Sequence, residues 1–184
     1  MTSPRGYPSQ YTFDALGRLV GATDRAGNAK QLSRAGTPRD YTVTLTTPLG
    51  RTTTYRVKAL ESGQVQRTTS DAAGNVVQHV AGNDGSRTTT YPDGTIVTQV
   101  LGPDPRWGLR APIVKSQTVT TPAGRVMTMS VQRTVTLASN SDPLSVSAYG
   151  ESMTVNGRTS TMSYNAATRT LVSAIHTPPI FTPH

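Results

Sequence analysis

Cysteine is absent from the 184-residue chain, which excludes a disulfide framework and any thiolate-bound metal. Aromatic residues are few, with one tryptophan and two phenylalanines, and hydrophobic residues make up only 34% of the whole. A large apolar core is therefore excluded. No stretch approaches the roughly 20 consecutive apolar residues that a membrane-crossing helix needs. Met1 to Val20 also lacks the basic start and continuous apolar segment of an export signal. With only two glutamates and three lysines, the sequence is short of the residues that normally cover exposed helices, and an all-helical fold is excluded too.

In their place stand 31 threonines and 17 valines, β-branched residues that suit the pleated surface of a strand. One short motif recurs among them. Aligned on its fourth residue, it reads Asp14-Ala15-Leu16-Gly17, Asp24-Arg25-Ala26-Gly27, Thr47-Pro48-Leu49-Gly50, Asp71-Ala72-Ala73-Gly74, Tyr91-Pro92-Asp93-Gly94 and Thr121-Pro122-Ala123-Gly124. A seventh copy, Asn165-Ala166-Ala167-Thr168, lacks the glycine. The following residue is Arg18, Asn28, Arg51, Asn75, Thr95, Arg125 and Arg169 in turn.

Each position has a physical reason. Asp, Asn or Thr at the start can accept a hydrogen bond from the backbone two residues on, and proline second presets φ for a type I turn. Glycine fourth supplies the left-handed residue that lets such a turn join antiparallel strands. The motif predicts a β-hairpin. Thr168, β-branched, is disfavoured at positive φ, so the seventh hairpin is expected to have another loop geometry.

The flanks agree. Tyr41, Val43 and Leu45 alternate with Thr42, Thr44 and Thr46, a period of two. Met127, Met129 and Val131 alternate with Thr128 and Ser130, and a bulge or bend is expected near Gln132 and Arg133. Asn156-Gly157 predicts a two-residue hairpin turn. The fold class is all-β, an array of antiparallel β-hairpins over residues 1–175 with no linker dividing it. Gly102, Pro103, Pro105, Gly108 and Pro112 predict a loop at 101–115. Residues 176–184, with three prolines, are expected to fray.

The candidate residues are mostly structural. Asp14, Gly17, Arg18, Asp24, Gly27, Gly50, Arg51, Asp71, Gly74, Gly94, Gly124, Arg125 and Arg169 read as turn residues, the arginines reaching turn carboxylates or carbonyls of a neighbouring hairpin. Trp107, alone in its loop, reads as a packing residue with ligand contact as the alternative. His79, His176 and His184 lack metal-binding spacing, and the chain has no nucleophile elbow or phosphate loop. No catalytic residue, metal site or cofactor is expected. Asn83-Asp84-Gly85 reads as a turn, with too few oxygens for calcium. Net charge is +8, but the arginines stand singly, which makes nucleic acid an unfavoured partner.

The run Tyr11-Thr12-Phe13-Asp14-Ala15-Leu16-Gly17-Arg18, followed by Thr23-Asp24-Arg25-Ala26-Gly27-Asn28, resembles the RHS (YD-repeat) family, with Phe13 in place of the tyrosine of the Tyr-Asp pair. The resemblance extends through the later turns and the stretch from Asp104 to Thr170. It implies a curved or spiral β-sheet, a shell built from many repeats that in bacterial members encloses a C-terminal toxin domain, with animal relatives in the teneurins. The expected role is that of a non-catalytic structural segment of a longer secreted or cell-surface polypeptide. Its partners would be neighbouring RHS repeats and an enclosed toxin domain, with carbohydrate as a further partner. The alternatives are a free-standing basic module that binds carbohydrate or nucleic acid, and a truncated remnant. The chain is too short to close a shell, and Pro178-Pro179-Ile180-Phe181 stands where another Gly-Arg turn would follow. Family members that release their cargo are cut near an Asp-Pro-x-Gly motif. Asp104-Pro105-Arg106-Trp107-Gly108 places its glycine one residue late.

Overall fold

The computed structural model describes residues 9–176. These form β-strands and turns without a helix. The strands sort into two compact units, one holding the chain through Asn83 with Thr89–Pro92, the other Asp84–Thr88 with Asp93 onward. Within each unit the hydrogen-bonded strand order is the chain order. One boundary falls inside a strand, between Thr88 and Thr89, and the others in the turns before and after it.

In the first unit, β1 (Gln10–Phe13), β2 (Leu19–Thr23), β3 (Ala29–Gly36), β4 (Asp40–Thr46), β5 (Thr52–Ala59), β6 (Val65–Ser70) and β7 (Val76–Ala81) pair each with the next, all antiparallel. Then β8 (Ser86–Thr90) is shared between the units. In the second unit, β9 (Ile96–Asp104), β10 (Gly108–Thr120), β11 (Val126–Leu137), β12 (Val146–Val155), β13 (Arg158–Asn165) and β14 (Thr170–His176) again pair in order.

Register turns the alternation of the sequence into two chemically distinct faces. On β4 and β5, Thr42, Thr44 and Thr46 stand opposite Arg56, Thr54 and Thr52, while Tyr41, Val43 and Leu45 stand opposite Val57, Tyr55 and Thr53. Residues opposite one another share a face. One side is thus rich in hydroxyls and the other in aliphatic and aromatic groups. The second unit repeats this, since Met129, Val131 and Val135 stand opposite Val155, Met153 and Tyr149, while Ser130, Gln132 and Thr134 stand opposite Thr154, Ser152 and Gly150.

Neither face is sealed. Among the described residues no hydrophobic side chain is fully buried, and the one buried polar residue is Asp104. Side chains are covered mainly by their cross-strand neighbours, and Leu16, Leu49, Leu109, Leu144 and Ile175 stay at least three-quarters exposed.

Three expectations need correction. Residues 101–115 are strand apart from a turn at Pro105, Arg106 and Trp107, for β9 runs to Asp104 and β10 starts at Gly108. The prolines are tolerated because the register is irregular there: Asp104 pairs with Gly108, and the next pair is Gly102 with Ile113. A residue without an N–H can sit at such a break. Second, β11 runs straight through Gln132 and Arg133, and its register shifts at Thr136/Leu137. Met127, Met129, Val131, Arg133, Val135 and Leu137 all fall on the half-buried side of that strand. Third, His176 is not tail but the last residue of β14, paired with Thr159. Residues 177–184, the rest of the expected frayed tail, lie outside the described residues.

Candidate functional site

The recurring motif builds one local structure again and again. At Thr47, the N–H of Gly50 donates to the Thr47 carbonyl at 2.9 Å and the Thr47 N–H donates to the Arg51 carbonyl at 2.9 Å. This is a type I turn closed by a left-handed residue, with Gly50 at φ 73. The same pair of bonds occurs at Asp14, Asp24, Asp71 and Thr121, and also at Leu60, where Leu60-Glu61-Ser62-Gly63 makes the turn without a polar first residue. Gly17, Gly27, Gly74, Gly94 and Gly124 take φ between 73 and 84.

The first side chain decides how firmly each turn is tied. Asp14 accepts the N–H of Leu16 and of Arg18 on one oxygen, both at 2.9 Å, and the Arg18 guanidinium on the other at 2.7 Å. Asp24 and Asp71 do the same with backbone N–H groups and the side-chain amides of Asn28 and Asn75. At Asp14 the Arg18 N–H is the leading cause, and at Asp24 and Asp71 the partner amide is. In each case these bonds hold the carboxyl below its ordinary value. The Thr47 hydroxyl accepts the N–H of Arg51 at 3.1 Å, and the Thr121 hydroxyl accepts the N–H of Arg125 at 3.2 Å and donates to the Arg125 carbonyl at 3.4 Å. In the turn after β8 the carboxylate comes third, and Asp93 accepts both the N–H and the hydroxyl of Thr95 at 2.9 Å.

The glycine-free hairpin differs in loop length as well as sequence. Asn165 pairs with Thr170 across the turn, and the left-handed residue is Arg169, at φ 54, not Thr168. Asn156 and Gly157, at φ 48 and 81, form the two-residue turn between Val155 and Arg158. Their pair of positive φ values is that of a type I′ turn.

A different arrangement surrounds Arg133. Its strand presents apolar side chains on the half-buried face, and Arg133 occupies one of those positions, directly opposite Glu151. The guanidinium donates through Nε and Nη2 to Glu151 Oε2 at 2.8 and 2.7 Å, and through Nη1 to Asp104 Oδ2 at 3.0 Å. Tyr149 donates its hydroxyl to the same Glu151 oxygen at 2.6 Å. Asp104 Oδ1 accepts the N–H of Arg106 at 2.8 Å and of Trp107 at 3.2 Å.

Four side chains from three strands and two N–H groups of a turn thus share one charge-assisted network. Burial pushes the Asp104 carboxyl up, but the Arg106 N–H, Arg133 and the Trp107 N–H outweigh it and hold it below its ordinary value. The Tyr149 hydroxyl, joined by Arg133, overcomes burial and holds Glu151 low. Burial and the bond to Glu151 together push Tyr149 up. Arg133 is held above its ordinary value, since Glu151 and Asp104 outweigh its burial.

Trp107 sits in the turn beside Asp104, 38% exposed, with the Arg106 guanidinium 5.8 Å from its ring. Grooves of about 340 and 430 Å³ open elsewhere, one along Thr12, Gly21 and Gln31, the other along Asn75, Gln78 and Tyr91, and neither takes in Trp107. His79 lies in β7, its Nδ1 at 2.8 Å from the Thr89 hydroxyl. In the sequence Arg133 stood out only as the place of an expected bend, and Glu151 and Tyr149 did not stand out. The available signal was a charged residue at a parity otherwise filled by Met127, Met129, Val131, Val135 and Leu137.

Residues 1–29 match the family model described as RHS Repeat. Over this segment the chain is similar to the RHS-repeat family. The described part of the match contains β1, β2 and the turns at Asp14 and Asp24. No curated protein matches the chain. The later turns at Thr47, Asp71 and Thr121 repeat the hydrogen-bond pattern of the RHS segment. Among the described residues no helix is long and apolar enough to cross a membrane.

Proposed function

We propose that the chain is a non-catalytic structural segment of an RHS-type polypeptide, one stretch of a β-sheet shell that encloses or displays a toxin or effector domain outside the cell or at its surface. The RHS repeat at residues 1–29 supports a structural repeat role. The observation that carries the reading further is the absence of any fully buried hydrophobic side chain among the described residues. A sheet that presents apolar groups without a second layer is an array whose stability comes from its neighbours. Strands at the ends of such an array offer unpaired backbone groups to the next repeat. The turn residues Asp14, Gly17, Arg18, Asp24, Gly27, Gly50, Arg51, Asp71, Gly74, Gly94, Gly124, Arg125 and Arg169 would serve as corners of this scaffold.

Urea unfolding of the chain alone, and of the chain extended by the residues that flank it in its reading frame, tests the scaffold role. The extended protein is expected to unfold at higher urea and more steeply, and identical curves would refute the role. Proteolysis of the same extended protein tests enclosure, which predicts that a following domain is protected only while the repeats are intact. A basic binding module would instead bind an anionic polymer with steep salt dependence. Arg18, Arg56 and Arg133 are already paired with carboxylates, which weighs against that alternative.

A further inference from the structure

Asp104 is the one turn acid that is buried, and its carboxylate is bonded to a residue 29 positions further along the chain. The hairpin tip that carries it is thinly laddered. Asp104 pairs with Gly108, the next pair is Gly102 with Ile113, and Pro103, Pro105 and Pro112 have no N–H to contribute. Within the turn, the Arg106 and Trp107 N–H groups bond Asp104, and the Arg110 N–H bonds the Trp107 carbonyl at 3.2 Å. The tie from Asp104 to a strand beyond its own hairpin is the bond to Arg133. By contrast, β11 and β12 keep nine register pairs, and Arg133 retains two bonds to Glu151 whatever Asp104 does.

The geometry points to a releasable latch: the Asp104–Arg133 ion pair ties the β9–β10 turn and Trp107 to β11, and proton uptake by Asp104 frees that turn while β11 and β12 stay paired. Arg133 is the charged residue of β11 that faces Asp104, and Glu151 and Tyr149 face it from β12. Met162 and Tyr164 of β13 stand opposite these two. The hairpin's own charged residues are Arg106, Arg110 and Lys115. The neighbouring turn, whose Gly85 carbonyl accepts the Leu101 N–H, has its Asp84 carboxylate bonded to the N–H and hydroxyl of Ser86. The surroundings are therefore net cationic and hold the carboxylate charged at neutral pH. As its folded value is depressed, the latch is closed above the ordinary carboxyl range and opens as pH falls through the lower, folded value. Opening of this kind is local unfolding of a poorly tied segment.

The only tryptophan of the chain lies in the latch, so its fluorescence reports the latch directly. The 184-residue chain is titrated from pH 7 to pH 2 with tryptophan emission and far-ultraviolet circular dichroism recorded together. Emission is expected to move to longer wavelength reversibly, at a pH where the β-sheet signal is still intact. Asp104→Asn is expected to show the released emission already at pH 7 and to lose the acid step. Emission that changes only together with the β-sheet signal, or an Asp104→Asn emission identical to wild type at neutral pH, overturns the latch. If Asp104→Asn does not fold, Arg133→Lys decides. It keeps the charge but loses the fork, and the emission midpoint is expected at higher pH, an unmoved midpoint being a refutation.

Discussion

The ion pairs Asp40–Arg56 and Asp104–Arg133 are built from the same two chemical groups at nearly the same separations, 2.8 and 3.0 Å. Their surroundings differ. Arg56 meets Asp40 through two parallel bonds on the hydroxyl face of the first unit, and both side chains are more than one-third exposed. Asp104 is 4% exposed, and its arginine is shared with a second carboxylate that also accepts a tyrosine hydroxyl. Water can replace either partner of the first pair. In the second, removing one partner leaves a carboxylate that water reaches poorly. Contact geometry alone would rank the bidentate Asp40–Arg56 pair first, and accessibility reverses that order.

The strongest way to sharpen this contrast is Arg133→Met, which leaves Asp104 and Glu151 without their cation. The urea midpoint should fall by the upper end of the about 1–3 kcal/mol that an unsatisfied buried polar group costs. An unchanged midpoint would place the network with the surface pairs. Gly50→Val should cost about 1–2 kcal/mol through backbone conformation alone, since a Cβ at Gly50 meets nothing within 4 Å. Gly36→Val should cost more, as its Cβ would run into the backbone of Asp40 and Tyr41. Equal midpoints for the two would refute the distinction.

Arg169→Gly should do the opposite and raise the urea midpoint by about 0.5–1 kcal/mol, because an L-residue now holds a left-handed φ and glycine gives back part of the gain through the unfolded chain. At the small end, Arg56→Ala should leave the midpoint where it is at neutral pH, whereas a clear loss would break the comparison from the other side. Acid titration of midpoints adds a signed check. The Arg18 N–H, the Asn75 amide and the Arg56 guanidinium are the leading causes that lower Asp14, Asp71 and Asp40 respectively. Stability from these acids is present above their ordinary value and is lost as pH falls through the depressed one. Stability that rises on acidification would contradict those bonds.

Much of the fold was legible in the residues. Five-residue turn motifs marked seven hairpins, Asn156-Gly157 marked another, and alternation on β4 and β5 assigned their faces. The turn at Leu60 escaped because its first residue has no side-chain acceptor, although Gly63 stood in the right place. The stretch 101–115 misled because proline and glycine signal a break wherever they occur, whereas here they fall where the ladder is already interrupted. Arg133 was visible as a charge at an inward parity, but nothing local named Asp104 as its partner.

Turn type, hairpin order and the split into a hydroxyl face and an apolar face follow from information contained within five to ten neighbouring residues. That is why reading along the chain recovers them: hydrogen bonds of a turn and the pleat of a strand are local. The meeting of Asp104 with Arg133 depends instead on the registers of β9 with β10 and β10 with β11, including the irregularities between Gly108 and Ser116, and that of Arg133 with Glu151 on the register of β11 with β12. A slip of one residue in any of them would carry the guanidinium to the other face. Only the assembled sheet sums those registers, and it alone distinguishes the buried acid from the exposed ones.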